Sequence, residues 1–180
     1  MNQTQIDQAM SKIKNIEREI KEILEIMKTK GNFKIGYPTK EKWPITQKFG
    51  ENPQIYESLG YKGHFGIDWA VNYGTEIIAC DDGIVEEVNY TQGNGYFVKL
   101  KHTWGESIYM HMSKPSRLVQ KQEIYKGQMI GNVGNTGFVL PKPTKERPLA
   151  GTHLHFSIKV NGMENANFKD FINPLLFFEN

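Results

Sequence analysis

"GTHLHFSIKV" (residues 151–160) is the stretch on which the reading of this chain turns. Leu154, Phe156, Ile158 and Val160 alternate with His153, His155, Ser157 and Lys159. An apolar period of two is that of a β-strand, with alternate side chains on opposite faces. Leu154, Phe156 and Ile158 should face a core, and His153 and His155 should project together into a groove. Two imidazoles buried on one face need partners for four ring nitrogens. The pair therefore directs attention to the other three histidines and to what they could hold.

Outward from this strand, the chain carries similar short apolar or alternating runs. They are "PITQKF", "HFGIDWA", "EIIAC", "GIVEEV", "GYFVKLKH", "ESIYMHM" and "QMIGNVG". Turn-forming separators lie between them: "DDG", "QGNG", "TWGE" and "GNTG". The pattern predicts an all-β domain over residues 43–180, an antiparallel β-sandwich or open barrel with a groove. "LPKPTKERPLAG" (140–151) reads as a surface loop. The closing "KDFINPLLFFEN" should pack back on the barrel, since an exposed Leu-Leu-Phe-Phe run is a liability.

Residues 4–30 differ in texture, with no Gly, Pro or aromatic residue. Ile6, Ala9, Ile13, Ile16, Ile20, Ile23 and Met27 recur at alternating spacings of three and four. This predicts an N-terminal amphipathic α-helix over residues 1–30, either a coiled-coil seam or a helix packed on its own domain. Ile at both seam positions leans toward three strands. Gly31 is a stop signal, and residues 31–42 read as a linker.

Bulk properties narrow the class. Hydrophobic residues make up 38% and charged residues 23% of the 180, as in globular proteins. A net charge of +2 gives no argument for nucleic acid, though it suits weak attraction to an acidic polymer. No run is long enough for a membrane span. The N-terminus lacks the apolar core of a signal peptide, so the expectation is synthesis in the cytoplasm without a visible export signal. The single cysteine, Cys80, permits no intramolecular disulfide and reads as a buried strand residue.

His64 lies in "GHFGID", with Asp68 four residues on; His102 lies in "KLKHTWG" and His111 in "IYMHMS". His64, Asp68 and one histidine of the 153/155 pair make a two-His, one-carboxylate set suited to zinc with an open fourth position. The histidines left over would serve hydrolysis, which needs proton acceptors and donors around an attacked carbonyl.

With these motifs in hand, the sequence resembles the lysostaphin-type, or β-lytic, zinc metallopeptidases that cut peptidoglycan peptides. The resemblance runs from "WPITQKFG" at Trp43 to the closing "NPLLFF", about three quarters of the chain, with "GHFGIDWA", "YMHMSK", "YKGQMIGNVGNTG" and "GTHLHF" in family order. It implies the duplicated-hybrid-motif fold and one Zn²⁺ per chain. It implies His64, Asp68 and His155 as metal ligands, and His111 and His153 as catalytic residues. His102 matches no functional position and is read as structural. Tyr56 and Tyr61 are candidates for the tyrosine that supports the oxyanion in relatives. Two departures stand out. The segment between the glycine turn and H-x-H is longer by roughly ten residues, which should raise one groove wall, so trimming 138–151 should change substrate preference but not zinc content. Ser157 replaces an acidic residue common in the family.

The reading is thus a zinc endopeptidase acting on peptidoglycan stem peptides or cross-bridges. The alternative is a non-catalytic module that keeps the fold to bind peptidoglycan or build a particle such as a phage tail. A biotinyl- or lipoyl-type carrier is disfavoured, because no lysine sits at a suitable hairpin tip. The missing export signal suits a virion-associated or lysis enzyme, with residues 4–30 joining copies or an assembly partner. A latent form is a further option, with residues 1–42 inhibitory and Asn32 as an extra ligand.

Overall fold

A computed structural model of the chain describes residues 33–179, together with Met10, residues 12–14, Ile16, Glu17 and Ile20. The chain divides into two compact units, Met1–Phe33 and Lys34–Asn180. In the first, Met10, residues 12–14, Ile16, Glu17 and Ile20 are helical, and Ile13, Ile16 and Ile20 are exposed. The seam positions Ile6, Ala9, Ile23 and Met27, and the candidate ligand Asn32, lie outside the described residues.

Among its described residues the second unit holds ten strands: β1 (Ile45–Gln47), β2 (Ile67–Trp69), β3 (Glu76–Ile78), β4 (Gly83–Thr91), β5 (Gly95–Lys101), β6 (Gly105–Met112), β7 (Glu123–Ile124), β8 (Met129–Asn132), β9 (Leu154–Val160) and β10 (Phe171–Ile172). Eight form one sheet in the order β1-β2-β9-β6-β5-β4-β7, with β10 also pairing β9, and β3 pairs with β8. Every strand pairing is antiparallel. The eight sequence runs all became strands. The two-residue strands β7 and β10 were not foreseen, being too short to show a period.

β9 lies in the middle of the large sheet, between β2 and β6. Its side chains are nonetheless buried on both faces, not on one. Leu154, Phe156 and Ile158 are buried in the core as expected, and Ser157 and His155 on the other face are buried as well. The core around Phe156 contains Tyr109, Trp69 and Phe178. A second cluster of Phe97, Ile108, Met110 and Phe171 takes in Phe49, Tyr61, Phe65 and Phe168.

Residues 34–42 are held against this unit. Ile35 is fully buried, and it bridges to Phe178 in parallel. Tyr37 stacks on Phe178 at 4.5 Å. Of the apolar tail, Phe178 is buried while Leu175 and Leu176 are exposed.

Candidate metal centre and active site

Strand register brings the predicted metal donors together. Asp68 on β2 is directly opposite His155 on β9. Residues facing each other across an antiparallel pair have Cβ atoms about 5 Å apart. His64 stands just ahead of β2, its backbone tied to Glu51 O and Gly50 N, each at 2.8 Å. The three donor atoms form a small triangle. Asp68 Oδ1 is 2.9 Å from His155 Nδ1 and 3.1 Å from His64 Nε2, and the two ring nitrogens are 2.9 Å apart. Ligands bonded to a tetrahedral zinc at about 2.0–2.1 Å lie about 3.3 Å from one another, close to this triangle.

Proton counting also fits a cation. His64 Nδ1 donates to Lys48 O at 3.2 Å, which leaves Nε2 with a lone pair. That lone pair meets the oxygen of Asp68 and the Nδ1 of His155. Within the triangle only His155 Nδ1 is left to bring a proton, so two acceptors face each other across the remaining edge. His155 Nε2 is buried without a hydrogen-bond partner. Such crowding of lone pairs is costly in a buried site and is relieved by a metal ion. Gly66 makes room for the ring, because a Cβ there would lie 2.7 Å from His155 Nε2 and 2.5 Å from Phe156 O.

Burial sets the electrostatics. It is the largest cause pushing His155 down to about 4, against the opposing pull of Asp68. Burial, then the charges of His153 and His155, push His111 down to about 3. For Asp68, burial alone would raise the carboxyl. The hydrogen bonds from His155 and His64, with the charges of His155 and His153, outweigh it and hold the group well below the usual carboxylate range.

The structure brings His111 and His153 to the same place, with ring centroids 4.6 Å apart. His111 arrives through an irregularity in β6. Tyr96 pairs with Met112 and Val98 with Tyr109, so β6 holds one residue more than β5 across this interval. This bulge turns His111 into the left-handed region at φ 60 and aims it out of the ladder. His111 Nδ1 donates to Thr136 O at 2.9 Å, and His153 Nδ1 donates to Gly151 O at 2.8 Å. Both rings therefore keep Nε2 as the free nitrogen. His153 Nε2 stands 3.7 Å from Asp68 Oδ2.

Asp68, His111, His153 and His155 line a cavity of about 690 Å³. Phe138, Leu140 and Pro141 of the long loop form part of its wall, and Ile55, Tyr56 and Leu59 contribute elsewhere. Asp68 carries the only formal charge in the lining among the described residues, histidines aside. Of the two tyrosine candidates, Tyr56 lines the cavity, 5.4 Å ring to ring from His64, and donates to Gln47 Oε1 at 3.1 Å. Tyr61 instead stacks on Phe65 at 4.6 Å and does not line it. His102 is separate from the site. It bridges Asp82 O and Ser107 Oγ, both at 2.7 Å, and stacks on Trp104.

The sequence pattern of peptidase family M23 matches residues 62–167, more than half of the chain. The chain is a member of peptidase family M23. The M23 domain is 38% identical over 104 residues to peptidoglycan DD-endopeptidase ShyC of Vibrio cholerae, covering 57% of this chain and 21% of that protein. It is 32% identical over 117 residues to glycyl-glycine endopeptidase ALE-1 of Staphylococcus capitis, covering 62% of this chain and 29% of the relative. The chain thus spans less than a third of the length of either. Among solved structures, the catalytic domain of lysostaphin from Staphylococcus simulans superposes with a TM-score of 0.57 at 27% identity, covering 75% of this chain and 91% of that one.

Proposed function

We propose that this M23 chain is a zinc-dependent endopeptidase that hydrolyses peptide bonds in peptidoglycan stem peptides or cross-bridges. The observation that carries the reading is the buried triangle of His64, Asp68 and His155 at a groove that also receives His111 and His153. The names of the relatives supply the substrate class: one acts on peptidoglycan, the other on glycyl-glycine bonds.

His64 Nε2, Asp68 Oδ1 and His155 Nδ1 would hold the ion. Zinc there would polarise the scissile carbonyl and lower the pKa of a water beside it. His153 is the better placed general base, because a proton taken at Nε2 would sit 3.7 Å from the Asp68 carboxylate. The same atom then returns the proton to the leaving amine. His111 suits a neutral role, since burial disfavours its charged form; its Nε2 accepts a hydrogen bond and orients the attacking water. Tyr56 also lines the cavity, its hydroxyl donated to Gln47 Oε1.

The deciding experiment pairs metal content with turnover. Purified wild type should bind about one zinc per chain and release new amino groups from purified cell walls. His153→Ala should keep the zinc and lose on the order of a hundredfold in cleavage, the scale of general acid–base catalysis. A wild type loaded with zinc that cleaves walls of no cross-link type would favour the binding-module alternative. Virion association and self-assembly through residues 4–30 belong to this proposal too. Their support is the Ile spacing and the exposure of Ile13, Ile16 and Ile20.

A further inference from the structure

The two histidines outside the metal triangle are each fixed by a main-chain carbonyl, and the two carbonyls come from one segment. Thr136 O, which holds His111 Nδ1, stands where the long loop leaves the glycine turn. Gly151 O, which holds His153 Nδ1, stands where the loop returns to β9. The Thr136 end is fixed by its own side chain, which donates to Met112 O at 2.7 Å and accepts from Tyr96 N at 2.9 Å. The Gly151 end is fixed differently. Gly151 sits at φ 70, and a Cβ there would lie 2.5 Å from Pro141 O and 2.7 Å from Val139 Cγ2. Its conformation therefore depends on how the two limbs of the loop are held together. Two side chains hold the returning limb from outside the loop: Thr152 Oγ1 donates to Leu149 O at 2.7 Å, and Asn135 reaches it from the glycine turn. The amide of Asn135 donates to Pro148 O and to Ala150 O, both at 2.9 Å. Asn135 itself follows Gly134, which bridges to His153.

We propose that Asn135 is a positioning residue for His153: its amide clasps the 148–150 turn of the loop, sets the Gly151 carbonyl, and through it fixes which nitrogen of His153 carries the proton. This rests on the peptidase reading, in which His153 Nε2 must be free to accept a proton. The neutral imidazole has two tautomers, and only the partner of the other nitrogen selects between them. A base held as the wrong tautomer presents an N–H where a lone pair is needed. Asn135 touches none of the three metal donors, so its effect is separable from metal binding.

The test uses the full chain loaded with zinc. Asn135→Ala removes the clasp, and Asn135→Asp keeps the shape but replaces the donor with an acceptor. In both, zinc content should stay at the wild-type value and kcat on cell walls should fall on the order of tenfold. The direct readout is the ¹⁵N spectrum of the histidine rings. Wild-type His153 should show one tautomer, with the proton on Nδ1. Both variants should shift His153 toward a mixture and leave His111 in place, because Thr136 holds that ring independently. A His153 ring signal unchanged in both variants overturns the proposal, whatever happens to activity. A shift of His111 together with His153 also overturns it, since the effect would then be general loosening. If Asn135→Ala does not fold, Asn135→Asp gives the same readout; unfolding of both assigns the residue a purely structural role and likewise overturns the idea. A wild type that cleaves no wall would sink the peptidase reading alone, and the ring spectra would still decide the role of Asn135.

Discussion

At the scale of single residues, buried histidines tie stability to pH. An unperturbed histidine titrates near 6.5. Here burial, before any other cause, pushes His155 down to about 4 and His111 to about 3. Between pH 6.5 and 4 the unfolded chain binds protons that the folded chain refuses, so folding weakens as pH falls through this window. Asp68 acts in the same direction at lower pH. Its folded carboxyl titrates below the ordinary value, so its contribution is present above that value and is lost on further acidification. The urea midpoint of chelator-treated protein should therefore drop steadily from pH 7 to pH 4; a flat midpoint would contradict this account. With zinc bound, protons also compete for the ligands and the decline should be steeper. Much of this site was legible in the sequence. His64 and Asp68, and the H-x-H pair, stand close together in the chain; their spacing suggests a metal set, and the part assigned to each histidine comes from the family resemblance. What was not legible depends on distant backbone. The bulge that turns His111 into the groove, and the carbonyls of Thr136 and Gly151 that set the free nitrogens, leave no periodic trace.

At the scale of elements, strand runs were readable because alternation and turn residues repeat along the chain, whereas burial of both faces of β9 depends on what packs over the sheet, which one strand's alternation does not show. Ser157 gains a context from that burial: it is fully buried and its hydroxyl has no partner. The loop from 138 to 151 shows its meaning in which side chains it turns toward the cavity. Phe138 and Leu140 line the groove and are otherwise exposed. Replacing both with serine should change stability by no more than about 0.5 kcal/mol, as for surface positions. It should leave zinc content alone and alter the ranking of kcat/KM across walls of different cross-link chemistry. An unaltered ranking would show that this wall does not choose the substrate.

For the whole molecule, the boundary between the two compact units falls at Phe33 and Lys34. The lead-in beyond it is part of the second, M23 unit, with Ile35 fully buried. A chain beginning at Lys34 should therefore fold, bind zinc and keep wall cleavage within about twofold, whereas one beginning at Trp43 loses a core residue, a loss that for Ile costs about 2–5 kcal/mol. Light scattering on the full chain and on the chain from Lys34 tests the helical segment: a fall to monomer mass on truncation supports assembly through residues 4–30. Increased cleavage on truncation would instead point to an inhibitory segment.

Cys80 offers a practical consequence. It is the chain's one cysteine, it is buried, and its thiol is pushed up to about 12, chiefly by burial. Such a thiol is almost wholly protonated at neutral pH and hidden from reagents. A cysteine placed at Leu140 would then be the single one to take a maleimide dye, with the native thiol left in place. Fluorescence from that dye would report how the groove wall moves as a cell-wall fragment enters, in a protein altered at one position.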